Sequence, residues 1–181
     1  GLSRRSAEFL LEAGIRSDPK EFRELLKGLN RQGHQRGITK QDEKGGPKAV
    51  ILGVGHIGIA VKDIEESVRV TSKALDLPMP AIRDVPDRKM KVALLNLHGI
   101  CLEFIQDYSE NGEFARFARE RGDAIHHLCL LTDDIEADAD SLVERGVELR
   151  SRKPTVGLRG KRIVFTKSSA LNGIPFELSE P

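Results

Sequence analysis

The stretch His56-Ile-Gly-Ile-Ala-Val-Lys-Asp-Ile-Glu resembles a second stretch further along the chain, His127-Leu-Cys-Leu-Leu-Thr-Asp-Asp-Ile-Glu. Each begins with a histidine in a β-rich run and ends where a helical pattern starts. Each is also followed by an acidic, strand-like segment, Leu102-Glu103-Phe104 in the first half and Phe176-Glu177-Leu178 in the second. The sequence therefore predicts a duplicated module, each copy of which supplies one histidine and one glutamate.

The predicted elements follow the same order, β-α-β-β-β, in both halves. The first half has predicted strands at 50–61, 90–95 and 100–105, a helix capped by Asp63, and turns around Pro78 and Pro80. The second half has a helix at 134–146 and strands at 124–131, 147–150, 161–166 and 174–178, and a short helix at 111–121 precedes it. One unit would leave an apolar sheet face uncovered. We therefore expect an α+β domain over residues 49–181, built from paired modules at about 49–110 and 111–181.

The first 48 residues are predicted to form a helical extension and a linker. Asp18-Pro19-Lys20-Glu21 has the composition of a helix start, and Phe22, Leu25, Leu26 and Leu29 follow at helical spacing. Residues 28–48 are polar, basic and without periodicity, which favours a linker. The apolar helix face needs a partner, so the extension is expected to cover the main domain, support a dimer or bind another protein.

Composition narrows the functional classes. The 29 basic and 28 acidic residues are interspersed and give a net charge of +1, so no global field attracts nucleic acid or a membrane surface. No apolar run approaches the roughly 20 residues of a membrane span, and residues 1–30 carry charges throughout, unlike a signal peptide. The two cysteines do not form a disulfide framework. These features favour a cytoplasmic protein.

The four repeated residues are expected to converge because side chains alternate along a strand. Ile100, Leu102 and Phe104 share one face, so Glu103 points to the other; Glu177 is placed in the same way in the last strand. The apolar faces must pack on helices, which leaves both carboxylates on the concave side with His56 and His127. Buried carboxylates require a partner or a cation. The mixed nitrogen and oxygen set suits Zn, Co, Ni, Mn or Fe(II).

The remaining histidines and cysteines are given lesser roles. His126 has the opposite strand parity to His127 and is interpreted as structural, and no role is given to His34 or His98. Cys101 and Cys129 each lie two residues from a proposed ligand, on the same strand face. They are interpreted as small residues lining the cavity, with coordination or oxidation of a thiolate as the alternative.

These segments resemble the vicinal oxygen chelate superfamily, which includes glyoxalase I, extradiol dioxygenases and resistance proteins. Within it the sequence is most similar to the methylmalonyl-CoA epimerases. The resemblance covers about residues 52–180. It rests on the His56 segment, on Arg119-Glu-Arg-Gly-Asp-Ala-Ile-His-His, on Thr132-Asp-Asp-Ile-Glu-Ala, on Glu144-Arg-Gly-Val-Glu-Leu and on Pro175-Phe-Glu-Leu.

This resemblance implies an open cup-shaped sheet around one divalent metal (Co, Zn, Ni or Mn), an acyl-CoA substrate and a homodimer. It assigns metal-ligand roles to His56, Glu103, His127 and Glu177. Inversion of the carbon between a thioester and a carboxylate needs an acid/base group on each face of the enolate. The resemblance implies Glu177 as one of them, and the alignment puts Asp87 in the place of the other.

The chain departs from the family pattern in three places besides the aspartate. Glu103 stands where the family often has glutamine, the turn Gly157-Leu158-Arg159-Gly160 is less glycine-rich than in relatives, and residues 1–48 have no counterpart. Arg159 and Lys161 are candidates to contact CoA phosphates or a substrate carboxylate, with a surface loop charge as the alternative.

Three other functions share this fold. A glyoxalase I-like lyase would use the same four ligands on a hemithioacetal without depending on Asp87. An extradiol oxygenase would need two histidines and one carboxylate with open positions, and four protein ligands argue against it. A non-catalytic binding or resistance protein would sequester a ligand in the cup, usually without a metal.

Overall fold

The computed structural model describes residues 51–97 and 99–181. Within them the chain forms eight strands and three α-helices. In chain order they are β1 (Ile51–Ala60), α1 (Ile64–Leu75), β2 (Ile82–Val85), β3 (Met90–Asn96), β4 (Cys101–Asp107), α2 (Glu113–Arg121), β5 (Ala124–Thr132), α3 (Ile135–Glu144), β6 (Thr155–Val156), β7 (Arg162–Phe165) and β8 (Phe176–Ser179).

The strands form one curled sheet in the order β2-β3-β4-β1-β5-β8-β7-β6. The two halves have the same arrangement read outward from the centre, where β1 and β5 pair antiparallel. In each half the first strand then pairs parallel with the last, β1 with β4 and β5 with β8. The α+β fold of paired βαβββ modules is thus confirmed.

Equivalent helices start in the same way in both modules. Asp63 accepts a hydrogen bond from the backbone N–H of Glu66, and Asp134 does so from Ala137. The residue after each cap, Ile64 in α1 and Ile135 in α3, is fully buried. Ile64 packs in a cluster with Val68, Ala93, Leu95 and Phe104. Ile135 packs in a second cluster, with Ala139, Val164 and Leu178. These two cores hold the helices on one face of the sheet and leave the other face concave.

Two edge strands differ from the sequence prediction. Ile82–Val85 forms β2 directly after the proline-containing segment, where the sequence predicted only turns. Residues 147–150 were predicted as a strand, but Leu149 makes only an isolated bridge to Thr166, and the edge strand is Thr155–Val156 instead. Both strands lie at the ends of the sheet and are only partly apolar, so their periodicity is weak.

The predicted extension and linker, residues 1–48, lie outside the described residues, as does His98. In the part of the chain that the structure describes, no helix has the length and apolar character needed to cross a membrane.

The two equivalent isoleucines provide a test of the duplicated core. Replacing either Ile64 or Ile135 by alanine should lower the free energy of unfolding by about 2–5 kcal/mol, because each leaves a cavity under its helix. Urea denaturation measures this loss. Val70→Ala, at an exposed site in α1, is the control and should change stability by less than about 0.5 kcal/mol. A harmless change at one isoleucine would contradict equivalent roles for the two helices.

Candidate metal centre and active-site cavity

Four ionisable side chains converge on the concave face of the sheet. Nε2 of His56 lies 3.2 Å from Nε2 of His127, 3.3 Å from Oε2 of Glu103 and 3.8 Å from Oε1 of Glu177. Oε2 of Glu177 lies 3.6 Å from Nε2 of His127. All four residues are at most 5% exposed. The structure thus brings together the four side chains that the sequence proposed as ligands; their binding of a metal stays a prediction.

Strand register explains the convergence. Cys101, His56, Cys129 and Glu177 are neighbours in one row across β4, β1, β5 and β8. In the next row, Gly58 lies between Glu103 on β4 and His127 on β5. A Cβ at residue 58 would lie 2.0 Å from Cε1 of His127, so glycine leaves the space that the imidazole ring fills.

Burial shifts the pKa of each of the four groups in the direction that favours its neutral form. Desolvation lowers the pKa of His56 to about 4, with help from the Arg159 charge, and lowers that of His127 to about 2. Desolvation raises the pKa of Glu103 to about 7 and the pKa of Glu177 to about 8, the latter also because Glu103 is nearby. Without a cation, therefore, this cluster resists ionisation.

The cluster fits a divalent metal. Bonds from such ions to imidazole nitrogen or carboxylate oxygen are about 2.0–2.2 Å long, so donor atoms sharing one ion lie roughly 3–3.6 Å apart. The contacts of 3.2 and 3.3 Å around His56 fall in this range, and those of Glu177 are at or just beyond it. Oε1 of Glu103 is buried and accepts no hydrogen bond from the described residues. A buried oxygen of this kind is a suitable ligand for a cation.

The two cysteines lie on either side of His56 in the same row across the sheet, Cys101 on β4 and Cys129 on β5. Cys129 is fully buried beside His56 and Glu177, and Cys101 is also buried. Burial raises the pKa of both thiols. His56, Cys129 and Glu177 can together approach one ion, as can His56, Glu103 and His127. Neither cysteine is among the described residues that line the cavity, so the predicted cavity-lining role is not observed.

His126 contacts the cluster, which sequence parity did not reveal. Its Nδ1 lies 3.1 Å from Nδ1 of His127, and its Nε2 lies 3.3 Å from Oε1 of Glu113. The ring is buried and contacts Phe114 and Phe117. The prediction of a structural role is thus extended, because His126 can accept the Nδ1–H of His127 while it donates to Glu113.

A cavity opens above the cluster. Its walls are apolar on several sides, and three basic residues reach it, Arg88, Arg159 and Lys161. Arg88 donates to the carbonyl of Val156, and Arg83 donates to that of Leu158, so residues of the β2–β3 hairpin hold the β6–β7 turn across the mouth. Asp87 is exposed in the short 3-10 turn Pro86–Arg88. Its neighbour Arg88 lines the cavity, whereas Asp87 does not.

Comparisons with known proteins agree with this architecture. Residues 55–165 match the family model of the glyoxalase/bleomycin resistance protein/dioxygenase superfamily. The ethylmalonyl-CoA/methylmalonyl-CoA epimerase of Cereibacter sphaeroides is 30% identical over 129 residues, which cover 70% of this chain and 96% of that protein. The Bacillus subtilis protein YqjC is 29% identical over 126 residues, or 70% and 90% of the two chains. The crystal structure of methylmalonyl-CoA epimerase from Mycobacterium tuberculosis superposes with a TM-score of 0.69 at 24% identity, covering 83% of this chain and 95% of that one.

Gly58 offers a direct test of the metal centre. Gly58→Ala should weaken divalent metal binding by about 10–100-fold, because the new methyl group displaces the His127 ring. Isothermal titration with Zn or Co measures the change. Leu52→Ala, at an exposed site in the same strand, is the control and should leave the metal affinity unchanged. Equal metal affinities for Gly58→Ala and wild type would contradict a role for His127 as a ligand.

The shifted groups also predict how stability depends on pH in the metal-free protein. The two histidines have a lowered pKa in the folded state, so their contribution rises with pH up to about 6.5. The two glutamates have a raised pKa, so the folded state holds protons that the unfolded state has lost above pH 4.5. Their contribution therefore falls as pH rises toward about 8. Between pH 6.5 and 8 only the glutamates act, and stability should decline.

Urea denaturation in EDTA at pH 6.5 and pH 8 should show this decline. Added Zn should abolish it, because a bound cation stabilises the ionised carboxylates. Glu177→Gln should flatten the profile, since the amide does not titrate. A metal-free wild type that is more stable at pH 8 than at pH 6.5 would contradict the assignment.

Proposed function

The chain belongs to the glyoxalase/bleomycin resistance protein/dioxygenase superfamily, and we propose that within it this protein is a metal-dependent epimerase of methylmalonyl-CoA or a similar acyl-CoA. The observation that carries the proposal is the buried cluster of His56, Glu103, His127 and Glu177 beneath a partly apolar cavity. The name of the Cereibacter relative supports the substrate class.

The four clustered residues would hold one Co, Zn, Ni or Mn ion. When bound, such an ion would polarise the thioester carbonyl and so stabilise the enolate that remains after the α-proton is removed. Everything else in the reaction depends on protein side chains that bind the substrate, exclude water and move the proton.

Glu177 is the proposed base on the metal side of the cavity. Its carboxylate lies between the two histidines, with Oε1 toward His56 and Oε2 toward His127. Desolvation raises its pKa to about 8 in the metal-free protein, and a bound cation would favour the ionised carboxylate, the form that can accept a proton. Glu177 would therefore remove the α-proton from the face of the substrate nearest the cluster.

The cavity walls fit the two parts of an acyl-CoA. Met90, Ile105 and Phe165 offer apolar surface to a short acyl chain. Arg88, Arg159 and Lys161 place positive charge at the same cavity, and none of the three makes an ion pair among the described residues. Cations of this kind favour carboxylate and phosphate groups.

Inversion also needs a proton donor on the opposite face, and Asp87 is the proposed group. It lies on the β2–β3 hairpin beside Arg88, which reaches the cavity. Because Asp87 is exposed, its carboxylate would have to turn inward over the bound substrate. Asp87 would therefore act only when the hairpin closes over the bound substrate.

A glyoxalase I-like lyase is the second candidate, and the position of Asp87 favours it. Among the described residues that line the cavity, the only carboxylates are Glu103 and Glu177, both in the cluster. A reaction that moves a proton on one face of its substrate needs no second base. A non-catalytic binding protein is less consistent with four buried ligand groups, which cost free energy without a function. A homodimer remains a prediction that light scattering can check.

Proton exchange and inversion separate these candidates when they are measured on the same sample. With Co(II) and a single epimer of methylmalonyl-CoA in heavy water, the wild type should lose the α-proton signal in NMR and also the optical activity of the stereocentre. EDTA should stop both. Glu177→Gln should slow both by about 10²–10⁴-fold, the usual contribution of a general base.

Asp87→Ala should retain exchange but lose inversion, because the metal-side base still works while the opposite face has no donor. Asp84→Ala is the matched control, since Asp84 is an exposed acid of the same hairpin that bonds Tyr108. Normal inversion by Asp87→Ala would remove Asp87 from the mechanism. No exchange by wild type with metal bound would rule out the epimerase and favour turnover of a hemithioacetal.

A further inference from the structure

His56, one of the two histidines in the cluster, contacts a hydrogen-bond donor that determines its tautomer. Nη1 of Arg159 lies 3.2 Å from Nδ1 of His56. A guanidinium can only donate, so Nδ1 must accept and carries no hydrogen. The neutral ring then holds its proton on Nε2, the atom that faces Glu103 and His127.

Metal binding through Nε2 requires the opposite tautomer. The nitrogen that binds an ion must offer its lone pair, so a neutral imidazole then carries its hydrogen on Nδ1. Such a histidine normally donates that N–H to an acceptor. Here it would point at Arg159, a second donor with a positive charge. The observed position of Arg159 and ligation by His56 Nε2 therefore exclude each other.

The other histidine has no such conflict. Nδ1 of His127 faces Nδ1 of His126, which can accept because its own Nε2 contacts the Glu113 carboxylate. The contacts from His127 through His126 to Glu113 thus favour the His127 tautomer that carries its hydrogen on Nδ1, which leaves Nε2 free for a metal. Only the His56 side must rearrange when the ion enters, and the residue that must leave is Arg159.

Arg159 is placed so that its side chain can leave. It lies in the turn between β6 and β7, is an exposed residue, and makes no ion pair among the described residues. The backbone of the turn is anchored separately, because Arg83 and Arg88 bind the carbonyls of Leu158 and Val156. Rotation of the side chain alone would free the guanidinium while it remains beside the cavity.

We propose that Arg159 donates a hydrogen bond to Nδ1 of His56 in the metal-free protein. Metal binding then releases the Arg159 side chain into the cavity, where the guanidinium binds a carboxylate of the ligand. A guanidinium matches a carboxylate through two parallel hydrogen bonds. The identity of the carboxylate, that of a malonyl-type acyl group, rests on the proposed function. The competition between Arg159 and the metal does not.

Metal titration tests the competition. Arg159→Met should bind Zn about tenfold more tightly than wild type, because it removes both the opposing donor and one nearby positive charge. Lys161→Met is the matched control, since it removes a charge from the same cavity without touching His56, and its affinity should stay within about threefold of wild type. Nitrogen-15 NMR of the metal-free wild type should show His56 protonated on Nε2, and on Nδ1 after Zn is added.

Malonate tests the anion site. Calorimetric titration of Zn-loaded protein with malonate, with zinc content checked afterwards, should give at least tenfold weaker binding for Arg159→Met than for wild type. Both experiments are independent of turnover, so loss of the epimerase assignment would leave their outcomes intact.

Each result decides one part of the proposal. Zn affinity that is unchanged or lower in Arg159→Met would overturn the competition, as would a wild type that binds no metal. Tighter zinc but unchanged malonate binding would overturn the anion site. An unchanged His56 tautomer on metal loading would also overturn the release of Arg159.

Discussion

Burying four ionisable side chains costs free energy, and the packing of the rest of the domain must offset this cost. Two imidazoles and two carboxylates lie on the concave face with almost no access to water, and desolvation is the largest cause that shifts the pKa of each in the direction of its neutral form. A core of this kind lowers stability unless a cation satisfies it. The helices, the two apolar clusters and the long central strands together supply the packing that offsets this cost.

Duplication makes the convergence of the four groups a matter of sheet register. Because β1 and β5 pair antiparallel at the centre, each module brings its own histidine to the same place from the opposite direction. The parallel partners β4 and β8 add the glutamates one strand further out. Gly58 is the point at which this symmetry is broken, since the His127 ring fills the space that a side chain there would need.

The surroundings of the two histidines differ, and this difference gives the site its direction. His127 is supported by His126 and Glu113 from the protein interior, whereas His56 is approached by Arg159 from the cavity. A site that is symmetric in its ligands is therefore asymmetric in the contacts behind them. This asymmetry places the cationic, ligand-facing side of the cavity next to His56.

Sequence alone determined the duplicated modules, the helix starts at Asp63 and Asp134 and the four clustered residues. Strand alternation and helix capping are local sequence patterns, and both occur in each of the two modules. It could not place β2 and β6, whose short edge segments carry little periodicity, or show that Asp87 is exposed. Only the tertiary structure decided that Arg159 contacts His56, 103 residues away, and that His126 contacts His127 from the opposite strand face. Such contacts depend on how loops cross the open edges of the sheet and on how rings fill space, and no short-range pattern encodes either.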